Sequence, residues 1–185
     1  HPEGSGQLEN YLQQALDYAK ENDLLVVHTG DLIDCTTDAA LNFVDRLLAE
    51  TDYLYAAGNH DFCHWVGEAV EDLPYKWQMM QKVAPHFKPN LYFDSRIVGG
   101  LNIVTMDDSY YQITDGQIDA LKAEAAKGYP IILCMHVPLY TLELAQVGDG
   151  VAYVLGAPEE ILETCSREKI HILTYRDAAY CARLK

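Results

Sequence analysis

Basic residues are scarce. The chain sets 13 Lys and Arg against 28 Asp and Glu, a formal net charge of −15, with a pI near 4.6. A protein whose main partner is a nucleic-acid backbone presents a basic face, so this balance argues against that class of function. Long apolar runs are missing too. No stretch of about 18 apolar residues occurs, and no membrane-spanning helix is expected. The five cysteines, Cys35, Cys63, Cys134, Cys165 and Cys181, are odd in number and form no Cys-x-x-Cys pair. They read as reduced thiols packed as small apolar groups in a cytoplasmic protein. A thiolate ligand at Cys35, Cys63 or Cys134 is the other reading, since each lies near a candidate site position. Internal repeats and low-complexity segments are absent. No secretory leader is visible, but the chain opens at His1, which suits either a removed leader or a missing first strand.

What is present suits a globular protein. A chain of 185 residues, 49% hydrophobic and 22% charged, is expected to form one domain over 1–185 with a sizeable core. Leu8, Leu12, Leu16 and Ala19 recur at helical spacing, so residues 7–21 are expected to be an amphipathic helix. Leu24 to His28 is a short strand, apolar on both faces as a parallel strand covered by helices should be. Thr36 or Thr37 can cap a second helix carrying Leu41, Val44, Leu47 and Leu48, which leads to a strand from Tyr53 to Ala57. Strand, helix, strand is a βαβ unit. A helix is expected from Pro74 to about Val83, with proline in its first turn. Its Trp77, Met79 and Met80 read as packing residues, or alternatively as a substrate-side lid. Leu91–Phe93, Arg96–Val98 and Leu101–Met106 are read as short strands, the last two joined by the hairpin signal Gly99-Gly100. Thr114 and Gln117 form a capping box for a helix stopped by Gly128. Pro130 to Met135 is a further buried strand. Residues 141–157 read as loop, Glu159 to Arg167 as a last helix and Ile170 to Thr174 as a last strand. The alternation predicts an α/β fold, a mixed two-sheet β sandwich flanked by helices.

Two of these strands end alike. The first runs into Thr29-Gly30-Asp31-Leu32-Ile33-Asp34, the second into Gly58-Asn59-His60-Asp61. Residues just past the carboxyl ends of parallel strands line the ligand crevice of an α/β sheet. Asp31, Asn59 and His60 are therefore expected at one place. A carboxylate, an amide oxygen and an imidazole together are hard-to-borderline ligands for divalent metals. The strand that ends in Cys134-Met135-His136-Val137-Pro138 adds a further histidine, and Asp31, Asn59 and His136 are expected to converge.

Gly-Asp-x-x-Asp, Gly-Asn-His-Asp and His-x-Pro, in this order and each at a strand end, resemble the calcineurin-like metallophosphoesterases over roughly residues 8–140. The resemblance implies hydrolysis of a phosphate ester by attack of a metal-activated water, with two divalent ions, Mn, Fe or Zn, as cofactors. It assigns the metal-bridging carboxylate to Asp31 and second-metal ligation to Asn59 and His136. It makes His60 the histidine that contacts substrate, stabilising the transition state or protonating the leaving oxygen. Asp61 is read as the carboxylate holding the other ring nitrogen of His60, and Asp34 as a loop support or a solvated side chain. The partner is a phosphoester of open class: nucleotide, phosphoprotein, phospholipid or small ester.

Other readings stand beside these. In isolation Asp31 would be a turn residue, Asn59 an Asx turn and His136 a core histidine. His28 reads as a packed strand histidine. His60 and His64 mimic the spacing of a zinc-hydrolase helix, but the residue after His60 is Asp and Gly58-Asn59 makes a turn there. Two parts of the family pattern are not found: an Asp-x-His strand before the first helix and a Gly-His-x-His after the last strand. The chain is thus read as incomplete before His1 and near residue 174, with a gap expected at Thr174–Tyr175. The alternative function is a catalytically impaired phosphoesterase-like fold serving as a binding or scaffold module.

Overall fold

The computed structural model describes residues 5–68, 72–138, 159–167 and 170–173. The expected loop at 141–157 and the Thr174–Tyr175 junction lie outside them. The helix α1, Ser5–Glu21, buries Leu16 and Ala19. It leads to strand β1, Val26–His28. Helix α2, Asp38–Leu48, starts at Thr37, whose hydroxyl accepts the Ala40 amide at 3.2 Å. Its apolar stripe, Leu41, Val44 and Leu48, is buried. Strand β2, Tyr53–Tyr55, then lies parallel to β1 in the register Val26 to Tyr53 and His28 to Tyr55. β2 is buried throughout, whereas β1 is half-buried and not covered on both faces as its sequence suggests. Among the described residues its only strand neighbour is β2.

Helix α3, Leu73–Val83, is capped by Asp72, which accepts the Tyr75 amide at 3.1 Å, and has Pro74 in its first turn. Met79 and Val83 are buried, Met80 packs partly into the same core, and Trp77 tilts against Tyr92 at 5.7 Å. The second sheet has the order β3-β4-β5-β6: β3 Phe93–Val98, β4 Leu101–Met106, β5 Ile131–Cys134 and β6 His171–Leu173. β3 and β4 are an antiparallel hairpin, and β4, β5 and β6 are parallel. The hairpin turns through Gly99 and Gly100 at φ of +58° and +83°. That backbone matches the twist of the strands and favours glycine at both positions. β3 is continuous where the sequence suggested two pieces, because Asp94 and Ser95 sit on an edge strand and pair with Thr105 and Val104 across the hairpin.

Helix α4, Asp115–Ala125, links β4 to β5. Its capping box is complete, with Thr114 Oγ1 accepting the Gln117 amide and Gln117 Oε1 accepting the Thr114 amide. The same Gln117 donates through Nε2 to the Asp107 carbonyl at 2.6 Å and fixes the end of β4. Helix α5 is Glu159–Arg167. Each sheet has its own apolar core. One gathers Val44, Tyr55, Val83 and Phe87 around β1 and β2, and the other gathers Val104, Leu121, Leu133 and Cys165 around β4 and β5. This is the expected mixed, two-sheet α/β architecture. Among the described residues no helix is long and apolar enough to cross a membrane.

Candidate metal centre

The site begins with a backbone contact that only glycine permits. After β1 the chain turns at Gly30 (φ +93°) and Asp31 (φ +57°). After β2 it turns at Gly58. The two turns pack backbone to backbone: a Cβ on Gly30 would lie 2.8 Å from His136 Nδ1, and one on Gly58 would overlap Asp31 Oδ1 and the Asp31 amide. Asp31 occupies the left-handed region that non-glycine residues seldom visit, and such strain concentrates at functional positions.

Asp61 fastens the two turns. Its Oδ2 accepts the Gly58 amide (2.8 Å), the Tyr55 hydroxyl (2.7 Å) and the Asp31 amide (3.1 Å). Burial pushes its pKa up to about 6, against the pull of the Gly58 and Tyr55 hydrogen bonds. Asp61 therefore does not hold the His60 ring as expected. His60 opens a short 3₁₀ turn, His60–Phe62. With about three residues per turn, neighbouring side chains there diverge by a third of a circle. Asp61 points inward, while the His60 ring points outward with Nδ1 3.5 Å from Asp34 Oδ1. Asp34 is thus the carboxylate beside His60, and its side chain is largely exposed, as its solvated reading has it.

Asp31 and His136 meet. His136 follows β5 and is buried, with Nε2 3.3 Å from Asp31 Oδ2. Its Nδ1 lies 2.7 Å from the Thr29 carbonyl. A carbonyl only accepts, so Nδ1 carries hydrogen and Nε2 is the nitrogen that faces Asp31. Burial works to lower the His136 pKa, but hydrogen bonding and charge from Asp31 outweigh it and hold the imidazole above its usual value. Asp31 is held low in turn: burial opposes, and the His136 and His60 contacts prevail. The other Asp31 oxygen, Oδ1, accepts the His60 amide at 3.0 Å. Asn59 lies between Gly58 and His60, both in contact with Asp31, and its side chain makes no capping bond to the 3₁₀ turn. His28 behaves as a packed histidine. It stacks on Tyr55 with centroids 5.1 Å apart and accepts the Gly30 amide at Nδ1, and burial lowers its pKa to about 4.

Two readings fall away. Cys63 is buried, its Sγ within 3.3 Å of the Asn59 carbonyl and 3.4 Å of the Glu68 carbonyl, and burial pushes the thiol up to about 11. Cys134 is raised to about 11 by burial as well. Burial thus disfavours the thiolate at both positions. His64 stands at the surface against Trp65, and the segment from His60 is a 3₁₀ turn rather than the helix that a zinc-hydrolase spacing requires.

A supporting residue was missed in the sequence. Asp108, just past β4, is fully buried, and its Oδ1 accepts the amides of His136 (3.0 Å) and Val137 (3.1 Å). Burial is the main reason its pKa rises to about 7. Beside it Asp107 pairs with Lys76 at 2.6 Å, both side chains buried, and the ammonium lies near the Phe62 and Tyr110 rings. The strand-end rule that located Asp31 and Asn59 applies equally to Met106-Asp107-Asp108 and would have found this pair.

Among the described residues, no cluster of three or more His, Cys, Asp or Glu side chains could hold a metal ion. The donors brought together are Asp31 and His136, with the Asn59 turn beside them. No curated protein sequence matches the chain. Among solved structures, it is similar to a dimetal phosphatase from Danio rerio, with a TM-score of 0.60 and 14% identity over 92% of this chain and 70% of that one. A Staphylococcus aureus structure with a provisional 5′-nucleotidase assignment, in complex with alpha-ketoglutarate, matches at a TM-score of 0.46 and 12% identity, over 88% of this chain and 38% of that one, too distant to carry weight. The first of these agrees with the two-sheet fold. A sequence model of the calcineurin-like phosphoesterases matches residues 1–173, and with that extent of match the chain belongs to the calcineurin-like phosphoesterase family, hydrolases of phosphate-ester bonds.

Proposed function

We propose that the chain is a metal-dependent phosphoesterase whose reaction takes place in the crevice between Asp31, Asn59, His60 and His136. The observation that carries this is the Asp31–His136 pair. Two donors bound to one ion at about 2.0–2.2 Å stand about 3 Å apart, and Asp31 Oδ2 and His136 Nε2 are separated by 3.3 Å. The Thr29 carbonyl orients the ring as metal-binding histidines are oriented. These residues fit one divalent ion, with the Asn59 amide oxygen as a third donor. The family and the Danio rerio phosphatase support two ions, which would neutralise the phosphoryl oxygens and make water a nucleophile at neutral pH.

The chain's own groups have separate tasks. Asp31 offers Oδ2 toward His136 and keeps Oδ1 on the His60 amide, which fixes the carboxylate plane. Asp61 ties the two turns so that Asp31 and His60 keep their spacing. His60, half-exposed beside Asp34 Oδ1, would donate to an oxygen of the ester. Asp31 and His136 would hold the ion through atoms that otherwise bind protons, so metal uptake is expected to depend on pH.

The test is chelation followed by reconstitution. Hydrolysis of phenyl phosphate should vanish after removal of metal and return with Mn, Fe or Zn. Asp31→Ala and His136→Ala should lower bound metal and activity together. Metal binding with no hydrolysis under any of these ions would favour a binding or scaffold role.

A further inference from the structure

Between the two carboxylates of the Gly30–Asp34 block the chain builds more than a turn. Leu32, Ile33 and Asp34 form one wall of a groove of about 600 Å³. Leu12 of α1, Phe43 of α2 and Val66, from the chain beyond the 3₁₀ turn, complete it. Sites for small organic molecules have volumes in the range of about 300–1,000 Å³ and mostly apolar walls. The metal ligands do not line this groove, yet it shares Asp34 with the His60 pair, since Asp34 Oδ1 is 3.5 Å from His60 Nδ1.

We propose that this groove receives the leaving group of the ester, and that the leaving group is an uncharged apolar alcohol, aryl or branched alkyl. The proposal rests on the reading of His60 given above. Hydrolysis breaks the P–O bond to the alcohol, forms one to the oxygen of water and delivers a proton to the departing oxygen, releasing alcohol and inorganic phosphate. If His60 serves the departing oxygen, the carbon attached to it lies on the Asp34 side, at the groove. Two observations select the chemistry of that carbon skeleton. Most of the lining residues are aliphatic or aromatic, among them Leu12, Leu32, Ile33, Phe43 and Val66. The charged lining residues are Glu9, Asp34 and Arg46, two carboxylates against one guanidinium, which disfavours a second phosphate or a carboxylate on the substrate.

The experiment compares phenyl phosphate with 4-tert-butylphenyl phosphate on the full metal-loaded chain. The two phenols have nearly equal acidity, so bond breaking is matched and only apolar bulk differs. Burial of the added carbons should raise kcat/KM for the bulkier ester by about tenfold or more. Ala39→Trp, at an exposed position on the groove wall, should bring the ratio to within about twofold. Val66→Asp, also exposed, should do the same by polarity. A ratio near one in the unaltered protein, or one indifferent to both variants, overturns the proposal. Failure to hydrolyse either ester would count against the function proposed above, and the groove is then read by calorimetric binding of 4-tert-butylphenol. Binding weakened by either variant supports it, and no binding, or binding unchanged in both, overturns it.

Discussion

His60 differs from the two side chains next to it in the crevice. Asp31 and His136 face each other across 3.3 Å, while the His60 ring turns to Asp34 and solvent. That division predicts a kinetic defect without a binding defect. His60→Ala should lower kcat by about 10²–10⁴ and leave metal content nearly intact, as read by elemental analysis of the purified variant. Loss of metal would make His60 a ligand instead. Asp108 has the opposite character. It touches no reacting group, but its Oδ1 holds the two amides that set the His136 turn. Asp108→Ala leaves two buried N–H groups unsatisfied, a costly state, and frees the ring. Metal affinity by calorimetric titration should fall about 10–100-fold, the usual effect of losing an orienting partner. Asp108→Asn keeps an acceptor at Oδ1 and replaces Oδ2, which has no hydrogen-bond partner among the described residues. It should restore most of the affinity. Equal loss in both variants would deny the orienting role.

At the scale of elements, the parallel strands deliver the chemistry and the helices set strand ends in place. Glu124, near the end of α4, accepts from Asn102 of β4 at 2.8 Å and from Lys127 at 2.6 Å. Burial acts to raise its pKa, but Lys127, Asn102 and Ser95 outweigh it and hold the carboxyl below its usual range. A depressed carboxyl contributes stability that is fully present above the unfolded value, about 4.3, and that fades as pH falls through the folded value. Glu124→Gln should therefore lower the melting temperature at pH 7, and the difference from the unaltered chain should shrink below about pH 4. A difference that stays constant with pH would show that packing, not charge, accounts for it. Elements such as α4 were legible in the sequence because their signals are local: Thr114 and Gln117 are three residues apart, and the β1 and β2 runs each stop at a glycine. β3 was read as two pieces because alternation weakens on an edge strand with polar residues. The partner of His60 was misread because adjacency in sequence favoured Asp61, whereas the 3₁₀ turn sends the two side chains apart. Asp108 was passed over although it too lies just past a strand end, because its role is set by the amides of His136 and Val137, far along the chain.

The whole molecule carries its charge as a handicap for its own substrate. A formal charge of −15 repels a phosphate dianion at long range, while the attraction of the site acts at short range, through His60 and any bound cation. Salt separates the two. The Debye length falls from about 30 Å at 0.01 M to about 8 Å at 0.15 M, so the distant carboxylates are screened before the contacts inside the crevice are. Raising salt across that interval should increase kcat/KM for an aryl phosphate a few-fold, with the change in KM and kcat nearly flat. This is the reverse of an enzyme that steers anions with a basic surface, where salt slows encounter. Initial rates against sodium chloride at fixed metal concentration make the measurement. A decrease in kcat/KM would mean that the field at the crevice mouth is positive, set by the bound cations in spite of the acidic surface around them.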